Sequence, residues 1–234
     1  MKFYVVIPAR YSSSRFPGKV LAKIGDKSML EHVFFNASKS NAKKVYIATD
    51  SDIIYKKVKE FTDNIYMTSV DSKNGTERIA ELAQNLNWAK NMLVINVQAD
   101  MPELKADNIN FLAEKSYNNK GLSTLYYPLK NKKLLCDENT VKILLKNSNV
   151  SFHRSIKNDD GLMIFKHIGI YAYFVKDLLI YKSLPESNNE KSLSLEQYRF
   201  LDNNFNISAY KAVSDPGASV DIIDNINDIN NISS

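Results

Sequence analysis

An α/β fold, with a mostly parallel sheet, helices on both faces and a smaller mixed β-rich lobe, follows from three features of this 234-residue chain. Short apolar runs alternate with amphipathic stretches through the first half. Polar loops follow the ends of those runs, and the second half is less regular, with strand-like runs of which one alternates. Strands separated by helices make right-handed βαβ units, whose sheet is covered on both faces. Ligands of such sheets sit beyond the carboxyl ends of the strands.

Each element has a local reason. Residues 3–7 read as a buried strand, and residues 29–37 as a helix, because their apolar positions recur at three and four. Residues 44–49 form a second strand ending in Thr49-Asp50-Ser51-Asp52, which can cap a helix running through Val58. A short strand over 64–68, a helix over 76–86 and a strongly apolar strand over 92–97 follow, the last leading into Gln98-Ala99-Asp100. The loops at 9–18, 49–52 and 98–102 therefore open onto one rim. Beyond them, 121–128 and 140–145 read as strands, and 165–174 alternates enough to pair antiparallel. A helix over 193–201, a strand over 207–212 and a polar terminal helix over 222–232 complete the chain. Asn158-Asp159-Asp160-Gly161 and the polar stretch 187–191 mark exposed connections. With no internal repeat and no long linker, the expectation is a single domain over 1–234 with a β-rich lobe roughly within 121–212.

Composition narrows the class. A chain this long can bury on the order of 70% of its unfolded surface, so it needs no covalent staple. The lone Cys136 excludes an intrachain disulfide and leaves too few thiols for a cysteine zinc site, which points to a reducing, cytoplasmic setting. No stretch approaches the ~20 apolar residues of a membrane span, so a soluble protein without membrane insertion is expected. The 31 basic residues exceed the acidic ones by 5, and the pI is near 9. The lysines are scattered, however, and no arginine-rich stripe or zinc-finger pattern appears, which argues against a nucleic-acid partner. Only Arg10, Arg15, Arg78, Arg154 and Arg199 are arginines.

The loop Pro8-Ala9-Arg10-Tyr11-Ser12-Ser13-Ser14-Arg15-Phe16-Pro17-Gly18-Lys19 follows the first strand directly. It is neither a Walker A loop nor G-x-G-x-x-G. Two arginines, a lysine and a glycine turn on the ligand rim nonetheless suit a polyphosphate. Asp100, just past a buried strand, can coordinate Mg²⁺ or simply form a turn. Asp221 in Gly217-Ala218-Ser219-Val220-Asp221 is a second carboxylate, and two that converge would make a metal site bridging phosphate oxygens. His32 is a packing or helix-surface residue, Trp88 and Tyr126-Tyr127 are core or interface, and Cys136 is most simply a small apolar side chain.

The loop from Ile7 to Lys19 resembles the opening signature of the 3-deoxy-manno-octulosonate cytidylyltransferases, the CMP-Kdo synthetases of lipopolysaccharide synthesis. The resemblance continues in order through Ala48-Thr49-Asp50, Gly75-Thr76-Glu77-Arg78, Asn96-Val97-Gln98-Ala99-Asp100, Val141-Lys142, Phe152-His153-Arg154, His167-Ile168-Gly169-Ile170-Tyr171, Leu195-Glu196-Gln197-Tyr198-Arg199 and Val220-Asp221. It implies transfer of a cytidylyl group from CTP to the anomeric hydroxyl of an acidic 2-keto sugar, Kdo, with release of pyrophosphate, in a Mg²⁺-dependent homodimer. It further implies nucleotide binding by Pro8, Ala9, Arg10, Arg15, Lys19, Gly75 and Arg78. Sugar contacts would fall to Gln98, Arg154, His167, Tyr171, Glu196 and Gln197, Mg²⁺ to Asp100 and Asp221, and the catalytic part to Lys19, Asp100 and Asp221. His167 could be a hydrogen-bond partner or a proton acceptor. The family pattern Gly-Asp-Glu-Pro is replaced by Ala99-Asp100-Met101-Pro102, and Phe-Ser-Arg by Phe152-His153-Arg154. These departures raise two alternatives: the same reaction on a related acidic sugar such as 8-amino-Kdo, or a CTP-binding protein that has lost catalysis.

Overall fold

Phe3, Val5 and Ile7 point to one face of strand β1 (Phe3–Ala9) and Val6 to the other, and none has any exposed surface, so the strand must be covered on both sides. The computed structural model describes residues 1–12, 17–119, 121–129, 131–146, 149–157 and 162–220. After β1 come a small hairpin of β2 (Lys23–Ile24) and β3 (Lys27–Ser28), helix α1 (Met29–Ser38), β4 (Lys44–Thr49), α2 (Asp52–Val58), β5 (Ile65–Met67), α3 (Gly75–Asn85), β6 (Leu93–Asn96) and α4 (Ala106–Asn119). The second half holds β7 (Leu122–Pro128), β8 (Lys142–Lys146), β9 (Asn149–His153), β10 (Ile164–Phe174), α5 (Val175–Tyr181), α6 (Asn188–Leu193), α7 (Gln197–Leu201) and β11 (Ile207–Lys211).

The main sheet runs β11-β7-β10-β6-β1-β4-β5, with β8 pairing to β10 and β9 to β8. Its β6-β1-β4-β5 portion is parallel, with Val5 opposite both Val45 and Ile95. Strand β10 pairs antiparallel with β6, β7 and β8, while β11 lies parallel to β7. The strands of the second half thus continue the sheet of the first. Alternation along the strands divides the apolar side chains between two cores. Phe3, Val5 and Ile7 pack with Leu30 and Val33 of α1, Ile54 of α2 and Leu112 of α4. Val6 and Val94 pack with Ile79 and Leu82 of α3, Leu178 of α5 and Phe200 of α7. Trp88 lies against Tyr4 and Tyr46 in this second layer, and His32 bonds the Ile24 carbonyl at 2.9 Å.

Local caps explain the helix starts. Ser28 and Glu31 form a reciprocal capping box on α1, Ser51 caps α2, and Asn74 accepts the Glu77 N–H on α3. The expected helix over 193–201 differs in the structure. It is two helices, α6 and α7, broken at Ser194, whose φ of 51° ends α6. The stretch 187–191, expected as an exposed connection, begins α6 with Ser187 as its cap. Burial of Arg199 between Glu190 and Glu77 accounts for the break, because it requires α6 and α7 to face each other. Cys136, expected as a small apolar side chain, is exposed. The turn expected at 158–161 and the helix expected at 222–232 lie outside the described residues. Among the described residues, no helix is long and apolar enough to cross a membrane.

Candidate active site

Because β1 and β6 are parallel neighbours, their carboxyl ends deliver Pro8, Arg10, Gln98 and Asp100 to the same rim. There they line a cavity of about 570 Å³ together with Lys19, Gly75, Arg154, His167, Tyr171, Glu196 and Gln197. Gly18 turns the first loop back with φ 71° and donates its N–H to the Tyr11 carbonyl at 2.8 Å. Lys19 follows. Its ammonium donates to Asp100 Oδ2 at 2.9 Å and to the Val220 carbonyl at 2.8 Å. The Arg10 guanidinium is braced by the Ser72 carbonyl at 2.5 Å. Two cations and one carboxylate thus share one wall.

A neutral, hydrogen-bonding wall comes from β6, β10 and α7. The register of β10 against β7 shifts between Ile168 and Tyr171, a bulge centred on Gly169. A Cβ at Gly169 would lie 2.8 Å from Gln98 Nε2, so glycine there lets Gln98 lie flat on the strand. At the same bulge the Thr124 hydroxyl donates to the Ile170 carbonyl at 2.7 Å, and its oxygen meets His167 Nε2 at 2.9 Å. One hydroxyl carries one proton, so the imidazole donates from Nε2 and keeps Nδ1 as an acceptor. Burial pushes the His167 pKa down to about 3, and the ring is neutral at pH 7. Hydrogen bonding therefore suits His167 better than taking up a proton.

Three buried polar atoms in this wall have no partner among the described residues: Asn96 Oδ1, Tyr171 OH and Gln197 Nε2. Their side chains are 4%, 7% and 7% exposed and all line the cavity. Burying such groups unpaired costs about 1–3 kcal/mol each, so their arrangement fits a polar ligand that satisfies them. Burial also raises the Tyr171 phenol pKa well above its usual value, which keeps it a donor.

Several expected contact residues are committed elsewhere. Glu196 takes the N–H groups of Gly75 (3.2 Å) and Thr76 (3.1 Å) and the Thr76 hydroxyl (2.8 Å), so its charge complements the start of α3. Arg154 donates to the carbonyls of Leu193 (2.9 Å), Ser194 (3.0 Å) and Glu138 (3.2 Å) while lining the cavity. Arg78, expected beside the nucleotide, is fully buried; it pairs with Asp50 at 2.6 Å, bonds the Thr68 hydroxyl and does not line the cavity. Ala9 turns into the core beneath the loop. Arg15 and Asp221 lie outside the described residues. His153, one of the departures in sequence, does not line the cavity, whereas Ala99 and Met101 do.

Sequence reasoning missed Asn96, Thr124 and Lys142 as individual residues. Lys142 is fully buried, and its ammonium donates to the carbonyls of Asp137 (2.6 Å), Thr140 (2.7 Å) and Arg154. A lysine inside an apolar strand was the available signal.

Asp100 Oδ2 and the Val220 carbonyl both accept from the Lys19 ammonium and present hard oxygens at this wall. Hard oxygens with space for phosphate oxygens and water fit Mg²⁺, which commonly binds through one or two carboxylates plus substrate phosphates.

Residues 4–208 match the family model described as Cytidylyltransferase. The chain is 38% identical over 228 residues to the 3-deoxy-manno-octulosonate cytidylyltransferase of Leptospira interrogans serogroup Icterohaemorrhagiae serovar Lai (strain 56601), covering 94% of this chain and 91% of that one. It is 37% identical over 236 residues to the protein of the same name from Pseudoalteromonas translucida (strain TAC 125), covering 94% and 93%. Among solved structures, a CMP:2-keto-3-deoxy-manno-octonic acid synthetase complexed with CTP superposes with a TM-score of 0.89 at 30% identity, covering 100% of this chain and 98% of that one. A 4-diphosphocytidyl-2C-methyl-D-erythritol synthase, at 13% identity and a TM-score of 0.70, shares the fold alone. The chain belongs to the cytidylyltransferase family, among its 3-deoxy-manno-octulosonate cytidylyltransferases.

Proposed function

We propose that this protein joins CTP to 3-deoxy-D-manno-octulosonate, forming CMP-Kdo and pyrophosphate for lipopolysaccharide synthesis. The observation that carries this reading is a single cavity holding both a cationic wall, Arg10 and Lys19 beside Asp100, and the buried atoms Asn96 Oδ1, Tyr171 OH and Gln197 Nε2, which have no partner among the described residues. The anomeric hydroxyl oxygen forms a bond to the α-phosphorus and gives its proton to solvent, while the bond from the α-phosphorus to the bridging oxygen breaks and pyrophosphate leaves with that oxygen. Such transfers depend mostly on positioning and charge neutralisation. Arg10 and Lys19 hold the triphosphate, and the Arg154 guanidinium faces the sugar carboxylate. Tyr171 and Gln197 donate to sugar oxygens, and His167 accepts through Nδ1. Asp100 and Asp221 would hold Mg²⁺. When bound, that ion would screen phosphate charge and lower the pKa of a coordinated hydroxyl.

A homodimer in the cytoplasm completes the reading. Leu162 and Met163, 43% and 60% exposed just before β10, support a partner on that side, and light scattering measures the mass. The central experiment is a pyrophosphate-release screen over four nucleotides and several 2-keto sugar acids, 8-amino-Kdo included. Release requiring CTP, Kdo and Mg²⁺ together is expected. CTP binding without release under any sugar would sink the reading.

A further inference from the structure

Beyond β11 the chain runs along the cavity rim as a strap from 212 to 220, and side chains outside every motif hold it. The Ala212 N–H donates to the Tyr126 carbonyl at 2.8 Å. Fully buried Asn108 accepts from the N–H groups of Val213 (3.0 Å) and Ser214 (3.2 Å) and donates to the Ser214 carbonyl (3.1 Å). Farther along, Glu103 Oε2 accepts the Ala218 N–H at 2.8 Å. Gly217, with φ +75°, lies so close that an added Cβ would stand 2.3 Å from Glu103 Cβ. Pro216, Gly217 and Ser219 line the cavity, whereas Glu103 does not. At Val220 the N–H donates to the Asp100 carbonyl at 3.0 Å and the carbonyl receives the Lys19 ammonium.

We propose that Glu103 is a positioning residue for the triphosphate end of the cavity. By accepting from Ala218 and seating Gly217 against its own Cβ, it places the strap so that the Val220 carbonyl and Asp100 together aim the Lys19 ammonium. The proposal rests on the reading of Lys19 as a phosphate-binding cation. Glu103 touches no substrate and acts through the strap.

The test combines CTP affinity by calorimetry with KM for each substrate in Glu103→Ala, Glu103→Gln, Gly217→Ala, Lys19→Met and the Glu103→Ala/Lys19→Met pair. Loss of one hydrogen bond to a charged group predicts that Glu103→Ala binds CTP about five- to tenfold more weakly, with KM for the sugar unchanged. Glu103→Gln, whose amide oxygen still accepts, should stay within about twofold of the parent. Gly217→Ala, which breaks the same latch from the other side, should match Glu103→Ala or exceed it. In the double variant, CTP should bind no more weakly than in Lys19→Met alone, since coupled residues are not additive. Additive losses, or equal losses for both substrates, would overturn the proposal and leave the Lys19 reading standing. Unchanged CTP affinity in Lys19→Met would overturn both.

Discussion

Two regions of this molecule use arginine in opposite ways. At the cavity, Arg10 and Arg154 donate to backbone carbonyls and line the open space. Behind α3, Arg78 and Arg199 are sealed off. Arg199 donates to Glu190 at 2.8 Å and Glu77 at 2.8 Å and stacks its guanidinium 4.4 Å from the Tyr181 ring. Burial works against the Arg199 charge, but the paired carboxylates win and raise its pKa. At Arg78 burial dominates and lowers the pKa despite Asp50. All four arginines fall in motifs shared with the family, yet only the cavity pair faces the space where a ligand would sit. A motif arginine can serve the chemistry or the scaffold that carries it, and burial with a carboxylate partner distinguishes the two.

That contrast breaks most sharply on substitution. Arg199→Met should cost about 3–5 kcal/mol, because it strands Glu77 and Glu190 as buried, unpaired charges. Arg154→Met should cost markedly less stability and raise KM for the sugar; urea titrations beside steady-state kinetics compare the two. If Arg154→Met proved the more destabilising, the division would be misdrawn. Next in size is Asp100→Ala, expected to lower kcat about 100-fold or more while leaving the urea midpoint near that of the parent. Tyr171→Phe sharpens the comparison from the neutral wall. It should raise KM for the sugar about tenfold while leaving stability unchanged or slightly higher, since it deletes a buried hydroxyl that lacks a partner among the described residues.

A further effect is one of pH. His167 titrates at about 3 in the folded chain, and an unfolded histidine near its ordinary value of 6.5. Between those values the unfolded chain binds the extra proton, so stability is complete above about pH 6.5 and declines as pH falls, by at most about 1.4 kcal/mol per pH unit from this group. Urea midpoints at pH 7 and pH 5 should separate less in His167→Gln than in the parent. Equal separation would mean that the imidazole is not held neutral.

The apolar runs of β1, β4 and β6 were legible in the sequence because strands buried on both faces leave no room for polar residues. Helix α1 was legible because its apolar positions recur at three and four, and the start of α2 because Ser51 acts within one turn of itself. Helix α6 was not. Its Asn-Asn-Glu-Lys-Ser run resembles a loop until Arg199 arrives from a later helix to pair with Glu190. For the same reason, a contact over 115 residues between Glu103 and Ala218 leaves no local pattern to find.

What the sequence determined by itself was the parallel layering of the first half, the rim on which Arg10, Lys19, Gln98 and Asp100 gather, and the family, since each depends on near neighbours or on ordered motifs. Tertiary structure alone decided how those motif residues divide between cavity and core. It turned Arg78 inward, set Glu196 on the start of α3 and left Asn96 Oδ1, Tyr171 OH and Gln197 Nε2 buried without partners among the described residues. Residue type fixes which hydrogen bonds a side chain can make. Which of them it does make depends on distant segments that packing brings within about 3 Å.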